Sequence, residues 1–179
     1  MSFGVSDINH YTYTSHDTAY NYTTMFDYTN NQVTDLYYRI KDVDNEYLAW
    51  DEIFMAYDYV GTNTVSLSGQ MTALGNGVSL SSHGISSISS SSGGVLVGVF
   101  ENNGNKAYMV TNAGSASSTT VGDGKAFTMN DTTVTLNLSG SYRCVAVIDQ
   151  GEVKVYSVTN NSVQIPVGAY EGVFVIPVA

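Results

Sequence analysis

Carboxyl groups are the most numerous ionisable acid–base candidates in this chain, which has 16 Asp or Glu among 179 residues. Hydrolysis of a glycosidic bond needs two of them on rigid elements, about 5 Å apart when the configuration is retained. The acids here fall in a predicted helix and in turns: Asp149 and Glu152 flank a two-residue turn, and Glu101 precedes another. Acids in turns usually serve turn conformation. No pair stands out, and we predict no catalytic residue.

Nucleophilic, metal and nucleotide sites are equally hard to assemble from this sequence. The three histidines, His10, His16 and His83, are not near a G-x-S-x-G motif, and there is no HExxH motif or cysteine pair. The glycines belong to predicted turns and strands and do not open a helix, as a phosphate-binding loop would. The one cysteine, Cys144, excludes an intramolecular disulfide. We therefore predict no metal and no cofactor.

Tyrosines of the N-terminal region form the most distinctive candidate binding surface. Tyr11, Tyr13, Tyr20 and Tyr22 lie in a predicted strand and loop, and His16 lies in the same loop. Aromatic rings can stack on the apolar faces of sugar rings while their hydroxyl groups reach sugar hydroxyls. The alternative, which is the commoner role for such rings, is packing against a neighbouring helix. Carbohydrate is therefore a candidate ligand of these five residues.

Charge excludes several classes of partner. Six Lys or Arg oppose the 16 acids, giving a net charge of -10. So few scattered cations cannot form the basic patch that nucleic acid requires, and the acidity disfavours anionic membranes. No stretch approaches the ~20 apolar residues of a membrane-spanning helix. A neutral carbohydrate remains compatible with this composition.

Composition divides the chain near Gly61 into two predicted units. Residues 1–60 hold ten of the fourteen tyrosines, the only tryptophan and ten of the sixteen acids, whereas residues 61–179 are rich in Gly, Ser, Thr and Val. Such an asymmetry indicates two structural units. Within the first, residues 3–13 predict a strand, residues 14–33 a long loop and residues 34–60 a helix. The first unit is thus a strand-loop-helix leader.

The predicted helix 34–60 is amphipathic. Its apolar residues recur at spacings of three and four, which draws one stripe along the helix; they are Tyr37, Ile40, Val43, Tyr47, Trp50, Phe54 and Tyr57. Thr34 is the predicted N-cap and Gly61 the predicted stop. An apolar stripe must be buried. We expect it to pack on the β-domain or on a second copy of the chain, and predict a homodimer through the exposed apolar face of this helix.

From residue 62 onward the hydrophobic period is two, as in strands. The predicted strands are 64–68, 78–82, 85–89, 94–101, 106–112, 132–138, 142–149, 152–158, 162–167 and 173–178. The serine-rich segment 79–92 fits a flexible linker or, through Leu80, Ile85 and Ile88, an edge strand with a loop. Short strands joined by polar turns predict an antiparallel β-sandwich over residues 61–179. The fold class is therefore mainly β, with the leader in front.

Two segments in this order carry a resemblance to known enzymes. Residues 2–13 (SFGVSDINHYTY) and, after an aromatic-rich loop, residues 34–62 (TDLYYRIKDVDNEYLAWDEIFMAYDYVGT) resemble the last β/α unit of TIM-barrel β-glycosidases, the group that includes the family 42 β-galactosidases and their relatives. Tyr37-Tyr38 and Val43-Asp44-Asn45-Glu46 are similar to short motifs of the family's last helix. The remaining residues resemble the all-β domain that commonly follows such barrels.

This resemblance implies a glycoside hydrolase whose catalytic centre lies elsewhere. Enzymes of the family place their two catalytic glutamates after the fourth and seventh strands, and this chain corresponds to the eighth strand onward. The resemblance implies that Tyr11 and Tyr13 stand at the strand end that lines the substrate pocket. We expect a non-catalytic C-terminal fragment or accessory β-domain with a structural or interdomain role. The alternative is a carbohydrate-binding module that uses the tyrosine-rich surface.

Overall fold

The computed structural model describes residues 24–27, 29–74, 77–114 and 129–179. They form a mainly β, antiparallel structure, which confirms the predicted fold class. The strands are β1 (Phe26–Asp27), β2 (Gln32–Val33), β3 (Asp58–Val65), β4 (Met71–Leu74), β5 (Ile85–Ser90), β6 (Gly94–Asn102), β7 (Asn105–Gly114), β8 (Thr132–Leu138), β9 (Cys144–Asp149), β10 (Glu152–Ser157), β11 (Ser162–Val167) and β12 (Gly172–Val178). The α-helix of the described residues, α1 (Asp35–Phe54), lies between β2 and β3.

Two antiparallel sheets pack face to face. The larger has the strand order β10-β9-β12-β7-β6-β3-β4, and the smaller has the order β11-β8-β5. Alternate residues of each strand point between the sheets, as the period of two predicts. Val97, Val110 and Val175 of the large sheet meet Leu136 and Ile165 of the small one in this core.

The outer face of the large sheet carries a second core beneath α1. Met109 pairs with Phe174, and Phe174 pairs with Ile148, so the three side chains form one row on the same face. Trp50 and Phe54 of α1 pack against this row. Only 5% of Trp50 and 4% of Phe54 is exposed. The apolar stripe of the helix is thus buried on the chain's own β-domain over its C-terminal part.

Helix α1 is shorter than the predicted helix 34–60. It ends at Phe54, and strand β3 begins at Asp58 and pairs with β6. The predicted stop at Gly61 was wrong, because Gly61 lies inside β3 opposite Val99. Tyr59 and Val60 favour extended structure, and the hydrogen bonds available along β6 outweigh two more turns of helix. Strand β3 therefore crosses residue 60, where the first predicted unit was expected to end.

The start of α1 is close to the prediction but is capped differently. Thr34 is the N-cap, yet its side chain makes no capping hydrogen bond. Its hydroxyl group instead donates to the carbonyl oxygen of Thr24. The short β1–β2 hairpin lies within the predicted loop 14–33. The predicted strand 3–13 and the rest of that loop lie outside the described residues.

Two features of residues 61–179 differ from the prediction. The predicted strand 78–82 is wrong, because Leu80–His83 is a 3-10 helix. Strand β4 was not predicted, since Met71 to Leu74 is short and mostly exposed. Of the two interpretations of the serine-rich segment, the edge strand is correct: β5 is the edge of the small sheet and buries Ile85 and Ile88.

A buried tyrosine fastens the 3-10 helix to the large sheet. The hydroxyl group of Tyr108 donates to the carbonyl oxygen of His83 at 2.6 Å. Gly84 follows with φ of 92°, and a Cβ there would come within 2.7 Å of the tyrosine oxygen. Burial, followed by nearby Tyr142 and Glu101, raises the pKa of Tyr108 above its ordinary value, so the phenol remains a donor.

Replacing Tyr108 with phenylalanine should therefore destabilise the fold. Tyr108→Phe removes the donor and leaves the His83 carbonyl group without it, which costs about 1–3 kcal/mol of unfolding free energy. Urea denaturation followed by circular dichroism measures this loss. Tyr38→Phe, at a tyrosine that is 53% exposed, is the control and should unfold with the wild type. Equal midpoints for Tyr108→Phe and wild type would contradict the role given to this hydroxyl group.

Candidate functional site

The predicted ligand-binding residues cannot be placed in the fold. Tyr11, Tyr13, His16, Tyr20 and Tyr22 all lie outside the described residues. The carbohydrate interpretation of these side chains therefore stays a prediction. The candidate sites that can be built residue by residue lie on the sandwich and on helix α1.

A polar cleft opens at the end of the sandwich where β9 ends and β12 begins. Its volume is about 320 Å³. Several connections meet there: the ends of β5 and β9, the starts of β8 and β10, and the turn between β11 and β12. The lining residues that could bind a ligand through charge are Asp131, Asp149, Lys154 and Glu171.

Most of these charged groups already hold the surrounding turns together. Lys154 Nζ contacts Asp149 Oδ2 at 2.7 Å, and Gln150 donates to Glu171 Oε1 at 2.9 Å. Glu171 Oε2 accepts the backbone N–H of Gly168, and Asp131 Oδ1 accepts that of Ala169. These bonds fix the chain where it reverses direction. The carboxylates therefore have a structural task at this end of the sandwich.

One carboxylate oxygen of Asp149 takes no part in these hydrogen bonds. Asp149 Oδ1 is buried and has no hydrogen-bond donor among the residues that the structure describes. Glu46 of helix α1 is half-buried. Burial, followed by the charges of Glu171 and Asp149, raises the pKa of Glu46 above its ordinary value. Such a carboxyl group retains its proton to a higher pH than a free glutamate does.

These four acids were not singled out as a group by the sequence. Glu46 is in a helix, Asp149 ends a strand, Asp131 precedes one and Glu171 follows a turn. Only the position of Asp131, Asp149 and Glu171 beside turn residues could have hinted at a shared end of the sandwich. Among the described residues, no group of three or more His, Cys, Asp and Glu is placed to hold a metal ion.

A histidine–glutamate pair lies on another part of the sandwich. His83 Nδ1 and Glu101 Oε1 are 2.7 Å apart, which joins the 3-10 helix to the end of β6. Lys106 adds a hydrogen bond from its ammonium group to the carbonyl oxygen of Ser82. Histidine held by a carboxylate can act as a base. In this fold Glu101 and Lys106 both help to hold the 3-10 helix in place, as the hydroxyl group of Tyr108 also does.

Helix α1 is covered unevenly. Its stripe residues Trp50 and Phe54 are buried, but Val43 of the same stripe is 53% exposed. Tyr38 is also exposed, whereas Tyr37 and Ile40 are half-buried. We call residues 35–43 the uncovered segment. The homodimer predicted through the stripe stays a prediction, and only this segment of the stripe is left for it.

An exposed apolar strip on the large sheet continues the surface on which α1 lies. Val153 of β10 pairs with Ile148, which is beneath the helix, and Val155 pairs with Ala146. Val153 and Val155 are 61% and 67% exposed. Strand β10 is an edge strand of the described sheet. Its outer face therefore continues, beyond α1, the face of the sheet on which the helix packs.

Comparison with known proteins gives no match to this chain. No protein-family model, curated protein or solved structure matches it. In addition, no helix in the described part of the chain is long and apolar enough to cross a membrane.

Proposed function

We propose that this chain is a non-catalytic C-terminal region of a glycoside hydrolase, in which the sandwich and helix α1 hold a neighbouring domain in place. The observation that carries the proposal is the uneven burial of α1. One end of its apolar stripe is anchored on the sheet by Trp50 and Phe54, whereas Val43 toward the other end is 53% exposed. A helix built in this way can connect two structural units.

Burial at the anchored end makes α1 a rigid extension of the sandwich. Phe54 packs with its ring centre 5.0 Å from Phe100 and 5.9 Å from Phe174. Burying each large aromatic side chain contributes about 1.5–3 kcal/mol. The direction of the uncovered segment is therefore set by the sheet. A domain packed on that segment would be held at a defined angle to the sandwich.

Apolar side chains of the uncovered segment give a neighbouring domain a surface to pack on. Tyr37, Tyr38, Ile40 and Val43 lie within nine residues. Tyr38 and Val43 are each 53% exposed, and Tyr37 and Ile40 are half-buried. Exposed apolar side chains can mark an interaction site. We take the identity of the neighbour from the sequence resemblance, because the segment that forms α1 resembles the last helix of the barrel in those glycosidases. Such a helix normally packs against a barrel strand and the adjacent helix.

The DNA upstream of this reading frame tests the parentage directly. We expect an in-frame continuation that encodes seven further β/α units with one glutamate after the fourth strand and one after the seventh. The chain alone should show no saturable turnover of nitrophenyl glycosides. A stop codon immediately upstream, or turnover that is lost on replacing one acid of this chain, would overturn the proposal.

The uncovered segment can be tested once the upstream region is produced as a separate polypeptide. Val43→Asp places a charge in the proposed contact and should weaken binding of that polypeptide at least tenfold, measured by calorimetry. Leu67→Asp, at a residue of the β3–β4 turn that is 55% exposed, is the matched control and should bind like the wild type. Equal affinity for Val43→Asp and the wild type would exclude this segment as the contact.

A further inference from the structure

We propose that a second cleft, at the edge of the sandwich between β10 and β11, binds a neutral oligosaccharide. Strand β10 is an edge strand of the large sheet and β11 an edge strand of the small one, and the chain passes directly from the first to the second. This inference goes beyond the proposed function, because it needs no neighbouring domain. It also assigns carbohydrate to side chains other than the N-terminal tyrosines.

This edge cleft has the size of a ligand site. Its volume is about 380 Å³, within the range of about 300–1,000 Å³ that is usual for sites of small molecules. The described lining comes from one continuous stretch, the end of β10, the connection and the start of β11. It consists of Tyr156, Ser157, Thr159, Ser162, Val163 and Gln164.

Strand register places an aromatic and an aliphatic side chain on opposite walls of the edge cleft. Tyr156 pairs with Val145 on the large sheet, and Val163 pairs with Leu136 on the small one. Val145 and Leu136 belong to the core between the sheets, so their partners stand on the two inner faces. Val163 is buried, whereas Tyr156 is half-buried. Part of the tyrosine ring is therefore accessible from the cleft.

Polar side chains of the edge cleft are not used to hold the fold together. The side chains of Tyr156, Ser157, Thr159 and Gln164 make no hydrogen bond with another residue that the structure describes. This differs from the acidic cleft, whose carboxylates bind the surrounding turns. Hydroxyl and amide groups can both donate and accept hydrogen bonds. They are available here to the hydroxyl groups of a ligand.

A tight turn gives the edge cleft a fixed shape. Thr159 and Ser162 exchange two backbone hydrogen bonds, each of 2.9 Å. Between them, Asn160 and Asn161 have φ of 51° and 61°, a left-handed conformation that asparagine adopts more readily than most residues. The lining is thus formed before a ligand arrives. Binding to a preformed site costs less conformational entropy than binding to a mobile loop.

The chemistry of the lining determines the class of ligand. Its described residues include no Asp, Glu, Lys, Arg or His, so they offer no counter-ion to a charged group. Lys154, two residues before Tyr156 on β10, is held by Asp149 at 2.7 Å. An aromatic ring can stack on the apolar face of a sugar ring, and polar groups beside it can bind the sugar hydroxyls. The net charge of -10 also disfavours acidic oligosaccharides.

Calorimetric titration of the intact chain with four neutral oligosaccharides tests the inference. The probes are cellohexaose, xylohexaose, maltohexaose and β-1,4-galactotetraose. At least one should bind with a Kd of about 1 mM or lower. A hexamer of galacturonic acid, which is negatively charged, should bind about tenfold more weakly or not at all. No binding of any of the four neutral probes, or equal binding of the acidic one, would overturn the inference.

Two variants locate the binding site. Tyr156→Ala removes the ring and should weaken binding about tenfold or more. Gln164→Ala removes one exposed amide and should weaken it about fivefold. Because Tyr156 also packs against the core, circular dichroism checks the fold of that variant, and Gln164→Ala keeps the test valid if the fold is lost.

Matched controls remove the same residue types elsewhere. Tyr38→Ala on α1 and Gln70→Ala before β4 alter exposed side chains and should bind like the wild type. Unchanged binding in Gln164→Ala and in a folded Tyr156→Ala would place the sugar elsewhere on the chain and overturn the inference. Equal losses in Gln70→Ala and Gln164→Ala would do the same. None of these results depends on the upstream DNA, so failure here is distinguishable from failure of the proposed function.

Discussion

Phe54→Ala is expected to detach helix α1 from the large sheet while the two sheets remain packed on each other. The Phe54 ring is 4% exposed and lies among Trp50, Phe100, Met109 and Phe174. Removing a buried phenylalanine side chain costs about 3–5 kcal/mol, because the contacts are lost and a cavity remains. The core between the sheets does not include Phe54.

Two probes separate these events in urea. Trp50 is the only tryptophan and is buried in the same contact, so its emission reports docking of the helix. Pulsed hydrogen exchange of peptides from β8 and β11, measured by mass spectrometry at each urea concentration, reports the strands. In Phe54→Ala the tryptophan transition should move to much lower urea, while the strand transition moves little. Leu48→Ala, at a residue of α1 that is 67% exposed, should leave both transitions unchanged. Coincident, unshifted transitions in Phe54→Ala would contradict this assignment.

Strands were the most predictable part of the fold because alternation reflects which face is buried. In β8 every second residue, from Thr132 to Leu138, is buried, and the period of two is plain in the sequence. Strand β6 is also clear, since its valines alternate and its hairpin to β7 has Asn-Gly at the turn. In both strands the local pattern and the tertiary environment agree.

The end of α1 was less predictable because two patterns overlap there. Tyr57 continues the spacing of the stripe from Trp50 and Phe54, so the sequence alone extends the helix. Tyr57 is indeed packed on the second core, but from an irregular turn after α1. The pairing of β3 with β6 determines where α1 ends, and the sequence contains no local signal of that long-range contact. Strand β4 was missed for a related reason, since its four residues bury little apolar surface.

The acidic end of the sandwich could not be predicted because the fold brings its residues together. Glu46 and Glu171 are 125 positions apart in the sequence, and neither belongs to a recognisable motif. Acids beside turns usually satisfy nearby backbone N–H groups, as Asp131 and Glu171 do in this sandwich. What the sequence does not reveal is that β9, β12 and α1 meet at one end.

Asn112→Ala is expected to lower the stability of the sandwich more than Tyr108→Phe does, because it removes three hydrogen bonds instead of one. Asn112 is a buried amide at the end of β7, with only 3% of its surface exposed. Its Nδ2 group donates to the carbonyl oxygens of Asn130 at 2.9 Å and Gly168 at 3.1 Å. Its Oδ1 accepts the N–H of Gly114 at 3.0 Å. One side chain thereby joins the start of β8, the β11–β12 turn and the end of β7.

Alanine at this position leaves three backbone groups without their partner. Each buried group that loses its hydrogen bond costs about 1–3 kcal/mol, so the total should be about 3 kcal/mol or more. For a chain of this size that lowers Tm by roughly 6 °C or more. Thermal denaturation followed by circular dichroism measures the shift. Asn137→Ala, which loses one exposed bond to Ser87, is the matched control and should change Tm by less than about 2 °C. Similar Tm values for the two variants would show that the Asn112 amide does not hold the three segments together.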